Sequence, residues 1–433
     1  MEPLTASDVV FVSMPFGPIR LPSLGLSLLR AALARTGIAS RIAYCNLDFA
    51  AVVGTRVYEE IAESAPELLV GEWIFAEAAF GSAGDDAAFR ELMRARQAVT
   101  LKDAPGFWDG VEAARRAAPA FLDACARDVL AASPRIVGFT STFQQNVASL
   151  ALARRIKALR PGVMVIVGGA NCEGPMGRAL KRSCAFVDGV FSGEADRAIG
   201  PIVAAALRDG RLPDDVPGLF TAASAAREAW QPGEPVDQMD DLPFPEYADF
   251  FARYGDCVPA GERRARVTFE TSRGCWWGQK HHCTFCGLNG GTMAFRSKSP
   301  KRALDEIDQL MATYPGVGIS VVDNILDMRY FANVIPELAK RETKPDLFYE
   351  TKANLRKDHV RMLRAAGVSA IQPGIESLST AVLARMNKGI SMLQNVQLLK
   401  WCKEYNLDPN WNVLWGFGGE DPADYAAVTA MMP

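Results

Sequence analysis

Short apolar runs of strand length, each followed by a helical stretch, recur along almost the whole chain. This alternation limits the fold more than any other feature. In the first half the runs lie at residues 9–13, 41–44, 135–139, 163–167 and 187–191, and helical stretches at 23–36, 146–159 and 196–207. Ser23 is placed to cap the first of these helices. Strands apolar on both faces, alternating with helices, describe a parallel sheet covered on both sides. The expectation is a doubly wound, Rossmann-like α/β domain over residues 1–221, with ligands held beyond the C-terminal strand ends. Residues 48–110 are rich in Ala and Glu and read as helical pieces, a cap or an insertion.

Residues 222–262 form a connector whose proline-rich pieces, Gln231-Pro232-Gly233-Glu234-Pro235 and Asp240-Asp241-Leu242-Pro243-Phe244-Pro245, lack periodicity. Alternation resumes over 263–433. Strands are expected at 266–270, 318–322, 347–351, 369–373 and 411–415. Helices are expected at 301–313, 328–341, 357–366, and 379–405 in two pieces. Five such βα repeats describe a barrel or partial barrel with its site at the strand C-termini.

The chain of 433 residues carries 47 Lys+Arg against 50 Asp+Glu, a net charge of -3, which argues against a nucleic-acid-binding surface. No apolar run reaches the ~20 residues of a membrane span. Residues 1–8 hold two acids and no basic segment, so no signal peptide is expected and the protein reads as cytoplasmic. Thiols stay reduced there, and nine cysteines do not suit a disulfide framework.

Three of the nine cluster at Cys275, Cys283 and Cys286, on the loop after the first strand of the second half. Three thiolates on one loop can hold three corners of a [4Fe–4S] cluster, leaving one iron open. S-adenosylmethionine can fill that corner, and an electron from the cluster then cleaves its sulfonium. Two alternatives stand beside this reading. One is a structural zinc completed by His281 or His282. The other is a chance group of core cysteines, which is the better reading for the remaining six, Cys45, Cys125, Cys172, Cys184, Cys257 and Cys402.

With this loop in view, the sequence resembles the cobalamin-dependent radical SAM enzymes. Within them it is similar to the ribosomal peptide (RiPP) maturation radical SAM protein 1 family, whose RGCWWG…HCxFCGLNG pattern stands at residues 273–290. The resemblance implies a [4Fe–4S] cluster on the three cysteines, S-adenosylmethionine and cobalamin. It places Phe285 near the adenine. Asp323 and Asn324 stand where most radical SAM enzymes bind the methionine amino group. Glu350 and Lys352, or a buried ion pair between them, end the third strand. Gln372 and Glu376 follow the fourth strand and Gly416 the fifth. For cobalamin it implies the strand-end loops with Thr140, Ser141, Thr142, Gln144, Gly168, Gly169, Gly193 and Glu194. The chain's histidines are His281, His282 and His359, so none in the first half can ligate cobalt.

The implied activity is C-methylation of a ribosomally made peptide through a 5′-deoxyadenosyl radical and methylcobalamin, with an external electron donor and no nucleic-acid or membrane partner. Alternatives are a rearrangement or cyclisation with the same cofactors, or a non-catalytic zinc-stapled or cobalamin-binding fragment. The barrel is expected to be a partial (β/α)6 arrangement, truncated at its C-terminus with its last strand missing.

Overall fold

The computed structural model describes residues 7–64, 68–81, 86–100, 106–227, 229–287 and 292–431. Leu288, Asn289 and Gly290 of the cysteine motif lie outside the described residues. The chain divides into two units, Met1–Val236 with Leu242–Arg264, and Asp237–Asp241 with Ala265–Pro433.

The first unit runs β1 (Val9–Ser13), α1 (Leu24–Arg35), β2 (Ser40–Ala43), α2 (Cys45–Val53), α3 (Thr55–Ala62), α4 (Val70–Phe80), α5 (Asp86–Thr100) and α6 (Phe107–Ala131). It continues through β3 (Ile136–Thr140), α7 (Asn146–Leu159), β4 (Met164–Gly168), α8 (Gly174–Ser183), β5 (Gly189–Phe191), α9 (Ile199–Asp209), β6 (Leu219–Phe220), α10 (Ala222–Ala226) and α11 (Ala248–Cys257). The sheet order is β2-β1-β3-β4-β5-β6, parallel except for the antiparallel β5–β6 pair. All five residues of β1 are buried, as a central strand covered on both faces requires. Ser23 caps α1, accepting from the Leu26 amide. The stretch read as an insertion is a set of helices, α2 to α6, and α4 packs on both α6 and α7. The connector contributes α10 and α11.

The second unit runs β7 (Arg266–Phe269), β8 (Ser272–Arg273), β9 (Arg296–Ser297), α12 (Pro300–Thr313), β10 (Gly318–Val321), α13 (Val334–Lys340), β11 (Leu347–Thr351), α14 (Lys357–Ala365) and β12 (Val368–Pro373). Then come α15 (Thr380–Arg385), α16 (Met392–Tyr405), β13 (Asp408–Pro409) and α17 (Ala423–Met431). Its sheet, β13-β12-β11-β10-β7, is parallel throughout, each crossover carrying a helix.

Two elements differ from expectation. The helix expected over 328–341 is a 3₁₀ turn, Met328–Ala332, followed by α13. Asn333 sits between them with φ -141 and caps α13 through its own side chain. The fifth strand falls at Asp408–Pro409 and not at 411–415. Pro409 has no amide hydrogen with which to extend the ladder, and past the Asn410–Ile371 bond the chain leaves β12. Trp415 is then 77% exposed.

Candidate functional site

In the second unit, β7 leads into the cysteine loop, and the β8–β9 pair closes the loop at its base, with Ser272 opposite Ser297 and Arg273 opposite Arg296. Asp323, expected as a methionine contact, is fully buried. It accepts from the Thr271 amide at 2.6 Å, the Ser272 amide at 2.9 Å and the Thr271 hydroxyl. Both its oxygens therefore hold the entry to the loop. Burial pushes its carboxyl up to about 7, against the pull of those hydrogen bonds. Asp327, not Asp323, caps the 328–332 turn. Asn324 follows Asp323 and is half-buried.

Cys275, Cys283 and Cys286 are all partly exposed. The loop carrying them is docked on the turn after α15. The Thr284 amide donates to Met386 O at 3.1 Å and its hydroxyl to Arg385 O at 3.1 Å. Asn387 donates to the carbonyls of His281 and His282, and Trp277 Nε1 to Asn387 O at 3.1 Å. Trp276 Nε1 reaches Leu326 O at 3.1 Å. His281 stacks on Trp277, ring centroids 4.1 Å apart. Among the described residues, no three ligand atoms of Cys275, Cys283, Cys286, His281 and His282 lie within 4.8 Å of one another.

Two lysines face the thiols. Lys352, 7% exposed, donates to Lys388 O and lies 3.6 Å above the Trp277 ring. Burial, then the Lys388 ammonium, bring it down to about 8, while the thiols of Cys283 and Cys275 oppose the shift. Burial raises the Cys283 thiol, opposed by Lys388 and Lys352. Lys388 pairs with Glu376 at 3.1 Å and sits 5.5 Å from the Phe285 ring. A Glu350–Lys352 ion pair does not form among the described contacts. Glu350 instead stands opposite Gln372 in the β11–β12 register, and burial together with Glu376 raises its carboxyl. Phe285 meets Phe417 edge-on at 6.1 Å. The Gly416 amide donates to Glu420 Oε2 at 2.8 Å. Around the cysteine loop the structure thus gathers Phe285, Lys352 and Glu376, and Lys388, which sequence reasoning missed. The residues flanking Lys388, Asn387 at φ 56 and Gly389 at φ 62, form a tight turn, and nothing in the sequence ties that turn to the cysteine loop.

In the first unit, Thr140 pairs with Gly168 across the ends of β3 and β4. Gly169, at φ 106, brings the backbone so close that a Cβ would lie 2.6 Å from Ser141 O. Gly193 follows β5 at the same edge. Four of the expected cobalamin residues are occupied within the fold. Ser141 is buried and accepts from Asn171 at 3.0 Å. The Thr142 amide donates to Gln145. Gln144 accepts from the Gly71 amide at 2.6 Å and donates to Ile61 O at 3.2 Å, which turns it toward α3 and α4. Glu194 accepts from the Val236 amide at 2.8 Å. Glu72 of α4 accepts from the Asn146 and Val147 amides and so caps α7 from a separate helix. Burial pushes its carboxyl up to about 7.

Residues 269–431 match the model of the Radical SAM superfamily. An uncharacterised methyltransferase of Pyrococcus horikoshii is 24% identical over 304 residues, 68% of this chain and 63% of its own length. In fold the chain is similar to OxsB, a cobalamin-dependent S-adenosylmethionine radical enzyme solved with aqua-cobalamin. The TM-score is 0.62 at 17% identity, over 94% of this chain and 49% of that one. It is also similar to TsrM, a radical S-adenosylmethionine methyltransferase from Kitasatospora setae, solved with tryptophan and an S-adenosylmethionine analogue. That TM-score is 0.60 at 16% identity, over 98% of this chain and 71% of TsrM. The chain thus spans 63% of the length of the Pyrococcus horikoshii relative and about half of OxsB. No helix among the described residues is long and apolar enough to cross a membrane.

Proposed function

We propose that the chain is a cobalamin-dependent radical SAM enzyme that transfers a methyl group to an unactivated carbon of a ribosomally made peptide. The observation that carries this reading is the cysteine loop: three partly exposed thiols at the C-terminal edge of a parallel βα sheet, faced by Lys352 and Lys388. When bound, the cluster, S-adenosylmethionine and corrin supply hydrogen abstraction and methyl donation. The chain's own residues hold and shield them. Cys275, Cys283 and Cys286 ligate iron, and the two ammonium groups offset thiolate charge. Trp277 and Phe285 set aromatic faces beside the two lysines. Glu350, Gln372 and Glu376 present acceptors and a donor to ribose and amino groups. In the first unit, Thr140, Gly168, Gly169 and Gly193 leave a strand-end edge of small residues for the corrin. The histidines of the chain all lie in the second unit, so no imidazole of the first unit takes the lower face of cobalt.

The match of residues 269–431 supports the radical SAM part. The fold likeness of nearly the whole chain supports the corrin. The peptide rests on the motif at 273–290. Anaerobically reconstituted protein is expected to hold about four irons and to cleave S-adenosylmethionine. Cys283→Ala is expected to lose both, and retention of both overturns the assignment. With deuterated methyl-S-adenosylmethionine and precursor peptide, product carrying the label supports methyl transfer. Unlabelled product assigns a rearrangement or cyclisation instead.

A further inference from the structure

A second group of thiols lies in the first unit, away from the loop. Cys45 opens α2, Asp48 follows one turn later, and Cys125 lies on α6. One ligand atom from each falls within 4.8 Å of the other two. Cys45 and Cys125 are each only 3% exposed. Cys257, the last residue of α11, is also buried, and its Sγ donates to Asp48 Oδ1 at 3.6 Å. The sequence reading treated these cysteines as ordinary core residues. Their convergence from three separate helices on one inward carboxylate does not fit that view. A core cysteine packs as a small hydrophobe and needs no acid beside it.

We propose that Cys45, Asp48 and Cys125 form a structural site for a zinc ion, with Cys257, which bonds Asp48 but stands outside their 4.8 Å group, closing onto the ion as the fourth ligand. The donor set, thiolates with one carboxylate, is a zinc set, and structural zinc sites are closed and tetrahedral. With Zn–S about 2.3 Å and Zn–O about 2.1 Å, a tetrahedral S···O edge is about 3.6 Å. That matches the spacing of Cys257 and Asp48. Charge agrees as well. Cys45, Cys125, Cys257 and Asp48 bring four anions to a dication, and Arg253, paired with Asp48, offsets one of the two excess charges. An outer-shell cation bonded to a ligating carboxylate also fixes its orientation. Cys45 is the first residue of α2. The ion would pin α11, which returns from the connector, to α2 and α6 of the insertion.

The test uses the full-length chain with Cys275→Ala, Cys283→Ala and Cys286→Ala, so that iron–sulfur chemistry stays out of the measurement. It is loaded anaerobically with zinc chloride and desalted. The expected result is one zinc per chain by elemental analysis, with three sulfur scatterers at about 2.3 Å in X-ray absorption. Adding Cys45→Ser and Cys125→Ser is expected to cut retained zinc at least tenfold. Cys257→Ala leaves α2 and α6 untouched and is expected to remove one sulfur from the shell, which keeps the test decisive if the double variant misfolds. Failure of the parent to retain zinc, equal retention by the serine variant, or a sulfur shell unchanged by Cys257→Ala overturns the proposal. So does a Cys45–Cys125 disulfide with no metal. None of these outcomes depends on radical or methyl-transfer activity.

Discussion

Asp323 spends a buried carboxylate on holding the entry to the cysteine loop. Asp323→Ala orphans two buried amides, and such groups cost about 1–3 kcal/mol each. The expected loss is ~2–4 kcal/mol in chemical denaturation, and Asp323→Asn, which keeps one oxygen for both amides, loses less. The pH dependence has a definite sign. The folded carboxyl titrates near 7, above its ordinary value near 4, so the folded state binds the proton more tightly. This group's stability contribution is complete below pH 4 and is lost as pH rises toward 7. Denaturation midpoints of the wild type and Asp323→Asn compared between pH 4 and 7 check this, the variant being expected to lack that fall. Sequence alone could not assign the residue. Its position at a strand end suits either a ligand contact or a clamp, and only the three donors around it decide.

At the level of elements, strand and helix placement was legible because burial on both faces writes itself as continuous apolar runs. β1, α1, α7 and β11 stand where those runs predict. The fifth strand was not legible, because residues 411–415 have strand composition but no neighbour to pair with after Pro409. The turn from Arg385 to Gly389 was not legible either, since its partners lie about a hundred residues earlier in the cysteine loop. It carries a sharp prediction. Gly389 has φ 62, and a Cβ there would fall 2.2 Å from Trp277 Cη2. Gly389→Ala meets that clash and adds about 1–2 kcal/mol of left-handed backbone cost. Reduced iron retention after reconstitution and altered tryptophan emission are expected, with far-ultraviolet circular dichroism unchanged.

Across the whole molecule, the chain enters the first unit, contributes residues 237–241 to the second, returns for 242–264, and leaves again. That brief visit matters to α12. Asp240 accepts from the Ser299 amide at 2.7 Å, and its carbonyl accepts from Arg302 at 2.9 Å. A fragment beginning at residue 265 lacks both partners, so it is expected to melt lower than one beginning at residue 237, as calorimetry of the two would record. The same path has a consequence for synthesis. Domains fold largely as units while the ribosome is still at work. Here α11, with Cys257, leaves the ribosome only after residues 237–241, so the first unit must wait, one helix short, while a single helical turn of its neighbour is already in the open.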